Sequence, residues 1–146
     1  MSFEDWVKNG WLEVHKSSKE EITNLLGIVE RDLKDSKAKD VSNDWRFAIA
    51  YNAALQAATA ALAAAGYRAT RDSHHYRVIQ SLSLTLRKDA AFIRSFDAFR
   101  KKRNVSNYDI GGGVSDRELQ EMATIAQTLH AEVEQWIRSN HPALYS

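Results

Sequence analysis

The chain has 146 residues, 44% hydrophobic and 27% charged, with a formal charge of +1. That balance excludes a disordered chain, and the length is enough for one domain to bury a core without covalent staples. No cysteine is present, which excludes disulfides, iron–sulfur clusters, thiolate zinc sites and cysteine nucleophiles together. One proline and six glycines speak against a many-turned all-β fold. No apolar run reaches the ~18 residues of a membrane span, and the acidic start Met1-Ser2-Phe3-Glu4-Asp5 is unlike a signal peptide. The expectation is a single cytoplasmic, all-α domain over residues 1–146.

In chain order, Phe3, Trp6, Val7, Trp11 and Leu12 form a short amphipathic helix or a docked arm, interrupted near Asn9-Gly10. Ser18-Lys19-Glu20-Glu21 has the pattern of a capping box. It opens a helix over 18–35 whose Ile22, Leu25, Leu26, Val29 and Leu33 share one face. The polar stretch 34–43 reads as a loop. A long helix over 44–65 carries eleven alanines and stops at Gly66, a residue suited to a left-handed cap. Small and apolar all round, it belongs in the middle of a bundle. Its length and its Asp44, Arg46, Asn52 and Gln56 argue against a membrane span.

A shorter helix near 74–82 takes Asp72 or Ser73 as its cap, and 83–87 connects it to a helix over 89–107. Gly111-Gly112-Gly113 breaks the chain as a flexible connector. Ser115-Asp116-Arg117-Glu118 is a second capping box, opening a helix to about Arg138 with Leu119, Met122, Ile125, Ala126, Leu129, Val133, Trp136 and Ile137 facing a core. Pro142 lies beyond its end. The architecture expected is an up-and-down bundle of four main helices plus short ones. Trp6, Trp11, Trp45 and Trp136 are its core or interface anchors.

Charge is partitioned. Residues 1–44 hold seven Lys/Arg against ten Asp/Glu (net −3), residues 45–108 eleven against three (net +8), and residues 109–146 two against six (net −4). A basic centre between acidic ends either attracts a polyanion or pairs with the protein's own acidic helices.

The helix at 89–107 carries the most informative anomaly. Phe92, Phe96 and Phe99 form a core stripe at i, i+4 and i+7, and the next position on it is Arg103. Arg100, Asn104, Asn107 and Tyr108 share that side of the last two turns. An inward-leaning guanidinium is costly unless a carboxylate, phosphate or dipole meets it. Two readings follow: a phosphate ligand, or an Arg that runs along the aromatic stripe and pairs with an acid on a neighbouring helix.

Arg103-Asn104-Val105-Ser106-Asn107-Tyr108 also resembles the signature of the HEPN superfamily, an Arg commonly followed by Asn and then, after four to six residues, His. The resemblance extends to Asp44-Trp45-Arg46-Phe47-Ala48-Ile49-Ala50-Tyr51-Asn52-Ala53-Ala54, to the Gly66-Tyr67 stop and to the His74-His75-Tyr76-Arg77 helix entry. It implies a compact, usually dimeric helical domain without a cofactor. Its known roles are metal-independent endoribonuclease, toxin of a toxin–antitoxin pair, and partner of a minimal nucleotidyltransferase; other members have lost catalysis. On that pattern Arg103 and Tyr108 stand at the catalytic positions, with Arg100, Asn104, Asn107, His74 and His75 as ligand-binding candidates. The departure is Tyr108 in place of His. A phenol with a pKa near 10 is a far slower base at neutral pH than an imidazole near 6.5. The constellation therefore fits binding of an RNA or nucleotide phosphate better than cleavage, unless Arg103 lowers the Tyr108 pKa and makes it a general acid.

His74 and His75 are neighbours and point about 100° apart on a helix, so they do not chelate one metal as an i, i+4 pair would. They serve either as a helix-start cap or acid partner, or as a replacement acid/base across the pocket. No HExxH spacing occurs, and no metal site is expected. The reading that competes with all of this is a non-catalytic helical protein–protein interaction module in which Arg103 is a structural ion-pair residue.

Overall fold

The computed structural model describes the backbone of residues 1–108 and 113–145, and the side chains of 1–104 and 113–145. Among these, the elements run α1 (Phe3–Lys8), β1 (Leu12–Val14), α2 (Lys19–Asp35), α3 (Asn43–Ala64), β2 (Tyr67–Ala69), α4 (His74–Thr85), α5 (Ala90–Tyr108) and α6 (Asp116–Asn140), followed by a 3-10 turn at Pro142–Leu144. The fold is all-α, 73% helix with 4% strand.

Everything is arranged around α3. Its alanines 50, 53, 54, 57, 58, 60 and 61 are wholly enclosed, because side chains this short let α2, α4, α5 and α6 approach it together. The surrounding helices each contribute an apolar stripe at helical spacing: Ile22, Leu26 and Val29 from α2, Val78, Ile79 and Leu82 from α4, Phe96 from α5, and Leu119, Met122, Ala126, Leu129, Val133 and Ile137 from α6. By length and hydropathy α3 is in fact sufficient to cross a membrane, contrary to the argument from its length. In this fold 72% of its apolar window is buried against the protein itself.

Four local expectations are corrected. The short helix is Phe3–Lys8 and ends at Asn9-Gly10 as its sequence implies, but Leu12–Val14 after it is a strand that pairs antiparallel with β2, Leu12 opposite Ala69 and Val14 opposite Tyr67. Gly10 (φ +78°) and Gly66 (φ +99°) turn the chain at positions where a Cβ would be strained. At the start of α2, Ser18 Oγ accepts from the Glu21 amide, but the Glu21 carboxylate is drawn to His15 Nε2 at 2.9 Å instead of closing the box. At the start of α4, Ser73 is left-handed (φ 53°) and makes no capping bond. The complete capping boxes are Ser115 with Glu118, as expected, and Ser2 with Asp5. The connector at 83–87 is also shorter than expected, since α4 continues to Thr85.

Candidate functional site

The stripe on α5 packs as its spacing implies. Phe96 is buried and meets Tyr51 of α3 edge-on, while Phe99 meets Phe47 in the same way. One turn further on, the stripe ends on a cation. The Arg103 guanidinium sits 5.8 Å from the centroid of the Tyr51 ring, a cation–π distance. Its Nε is occluded from solvent and has no hydrogen-bond partner, and one terminal nitrogen reaches Asn104 Oδ1 only at 3.5 Å. Among the described residues, the ion pairs of these last turns go to Arg100, Lys101 and Lys102, and Arg103 has no carboxylate.

Beside this cation the start of α4 faces the end of α5 across a cleft of about 530 Å³, lined by His74, His75, Tyr76, Asp97, Arg100, Lys101 and Asn104. Sequence reasoning thus finds four side chains that the fold brings into one cleft (His74, His75, Arg100, Asn104); Arg103 is not among the lining residues and lies over the Tyr51 ring. Asn107 and Tyr108 lie on the helical backbone of α5, but their side chains are outside the described residues, as are Gly111 and Gly112.

Tyr51 and Asp97 were missed. Tyr51 lies between the two halves of the site: its hydroxyl is 3.5 Å from His75 Nδ1, and its ring carries Arg103. Burial pushes its pKa up to about 12, against the opposing pull of Arg100 and Arg103, so it keeps its proton. The same surroundings hold the His75 pKa below its ordinary value, burial first, then the charges of His74, Arg103 and Arg100. Asp97 accepts from Arg100 Nε at 2.6 Å and lies 3.7 Å from Lys101 Nζ, partly neutralising both. A lone phenol within an alanine-rich helix, and a lone acid three residues before Arg100, were the available signals. Tyr76 forms the wall, with the guanidinium carbons of Arg77 and Arg100 at 5.2 and 5.5 Å from its ring centroid.

The cleft is lined by two cations, two imidazoles and one amide, with a single carboxylate to balance them, and the Arg103 charge acts on the His75 ring beside it. Tyr51 Oη and His75 Nδ1 lie 3.5 Å apart, where the hydroxyl serves as donor or acceptor according to the tautomer of the ring. Comparison with protein-family models, curated proteins and solved structures finds no match for this chain.

Proposed function

We propose that the cleft between α4 and α5 binds the phosphate of RNA or of a nucleotide. The observation that carries this reading is Arg103, whose occluded Nε has no partner and whose charge meets no carboxylate among the described residues. A cation held this way is completed by an external anion, and an Arg fork matches phosphate geometry. Arg100, Lys101 and the Asn104 amide supply donors at the cleft, beside the His75 ring. The resemblance of Arg103-Asn104 to the HEPN signature points the same way.

Binding is favoured over cleavage by Tyr108, which stands where active members of the resembled family have His. A metal-independent endoribonuclease needs a base that works at neutral pH, and a phenol with an ordinary pKa near 10 is a slow one. The second reading, a ribonuclease using His75, is favoured by the neutral state of that ring at pH 7. An antitoxin or nucleotidyltransferase partner belongs to this proposal through the resemblance alone. The interaction-module alternative assigns Arg103 a carboxylate partner, and the described residues supply none.

The test is fluorescence anisotropy of a labelled single-stranded RNA with the intact protein and with Arg103→Ala, alongside incubation of both with total RNA. Saturable binding that Arg103→Ala weakens, with no cleavage, is the expected result. Equal binding by the two proteins overturns the proposal, and cleavage abolished by His75→Ala replaces it with the ribonuclease reading.

A further inference from the structure

Between α2 and α6, on residues that play no part in the cleft above, three metal-ligating side chains converge. His130 and Glu134 stand four residues apart on α6 and so share one face, while Glu30 reaches them from α2. His130 Nε2 lies 2.7 Å from Glu134 Oε1 and 3.7 Å from Glu30 Oε1. One ligand atom from each of the three falls within 4.8 Å of the others.

An ordinary His–Glu pair at this spacing settles into an N–H···O bond. Here Nε2 is occluded from solvent and makes no hydrogen bond of acceptable direction, although a carboxylate oxygen is at contact distance. A tetrahedral ion with bonds of about 2.0–2.2 Å holds its ligand atoms roughly 3.3–3.6 Å apart. That lies between the two separations observed, so modest side-chain rotations seat such an ion. Glu134 is already oriented for it: the Tyr145 hydroxyl donates to Oε2 at 3.2 Å, and Arg138 donates to that hydroxyl at 2.9 Å. Oε1 is thereby left to the ion, in the manner of outer hydrogen bonds that fix ligand geometry. Glu30 and Glu134 also line a cleft of about 190 Å³, which has room for a water or an added ligand.

The geometry points to a divalent transition-metal site formed by Glu30, His130 and Glu134, holding one Zn²⁺-class ion that ties α2 to α6 and keeps a coordination position open to the adjoining cleft. One imidazole nitrogen excludes the all-oxygen preference of Ca²⁺ and Mg²⁺, and two carboxylates balance the double charge.

Isothermal titration of Zn²⁺ into the chelator-stripped full chain, followed by thermal unfolding with and without the ion, tests this. The expected result is one ion per chain with micromolar or tighter affinity and a melting temperature raised by the ion. His130→Ala and Glu30→Gln should each weaken binding at least about tenfold, and Tyr145→Phe should weaken it less. The Glu30 side chain is 63% exposed, so Glu30→Gln keeps the metal-free stability and separates a lost ligand from a lost fold. A His74→Ala/His75→Ala double variant should bind Zn²⁺ like the parent. Absence of binding at about 100 μM Zn²⁺, equal affinity in the parent and Glu30→Gln, or loss of binding in the double variant would each overturn the site.

Discussion

At the scale of single residues, Arg103 is the test of the phosphate-binding reading. Its recorded contacts are a weak bond to Asn104 and the face of Tyr51, so removing it strands no carboxylate among the described residues. Arg103→Ala should therefore cost only a cation–π contact of about 0.5–2 kcal/mol. Differential scanning fluorimetry should show a fall in melting temperature of no more than about 8 °C for a domain of this size. RNA affinity should fall roughly 10–100-fold, the worth of one charge-assisted hydrogen bond. His75 makes a second prediction. Its folded pKa lies below the ordinary 6.5 of an imidazole, so the native state disfavours the proton that the unfolded chain accepts. The stability this contributes is present above about pH 6.5 and is lost as pH falls through the lower folded value. His75→Gln should flatten that part of a stability–pH curve measured by urea unfolding. A bound phosphate reverses the bias by favouring the imidazolium, so RNA affinity should rise as pH is lowered through the same window.

At the scale of elements, the long helices were legible because each carries its own signal: a Ser cap, a stripe at helical spacing, or a glycine stop. The ribbon of β1 and β2 was not. Three-residue strands that pair across 55 positions leave no local periodicity, and Trp11-Leu12 continues the apolar pattern of α1 closely enough to look helical. Ser73 was misread for a related reason, since a left-handed cap depends on the turn leading into it and not on the residue type. Tyr51 escaped because its role depends on how α3 is rotated against α4 and α5, which no single helix encodes, whereas Asp97 stands three and four residues before its partners Arg100 and Lys101 on α5, a local signal that went unread. The alanines of α3 were legible as close-packing positions, and they make a prediction. Ala57 is wholly enclosed, so Ala57→Leu forces added volume into a filled interior and should destabilise by about 1–3 kcal/mol, read as a shifted urea midpoint with an unchanged slope.

At the scale of the whole molecule, the basic centre and acidic ends partly neutralise each other, as Lys88 with Glu132 and Lys102 with Glu118 show. What remains is the cation set around the cleft. If Arg100, Lys101 and Arg103 engage RNA together, a plot of log affinity against log salt should have a slope near −2, at about 0.7 per phosphate for a single strand. A slope near zero in filter-binding assays would argue against a phosphate site. The HEPN resemblance further implies a dimer. Trp45, at the start of α3, is 63% exposed and was expected to anchor a core or an interface, so it is the residue to follow. Analytical ultracentrifugation at micromolar concentration should give about twice the 16.5 kDa chain mass, and Trp45→Ala should lower it.

The ribbon also sets an order of events in time. The segment before α2 is held by β1 against β2, by Thr70 donating to the Gly10 carbonyl, by the His15 amide donating to Gly66, and by Arg77 lying 3.8 Å over the Trp11 ring. Its ladder partners lie beyond the whole of α2 and α3 in the sequence, so closing it carries a loop entropy that the neighbouring packing of α2 on α3 does not. The N-terminal segment should dock last when the chain folds and open first when it breathes, as a small cooperative unit of its own. In hydrogen exchange, the amides of β1 should lose protection together and well before those in the middle of α3.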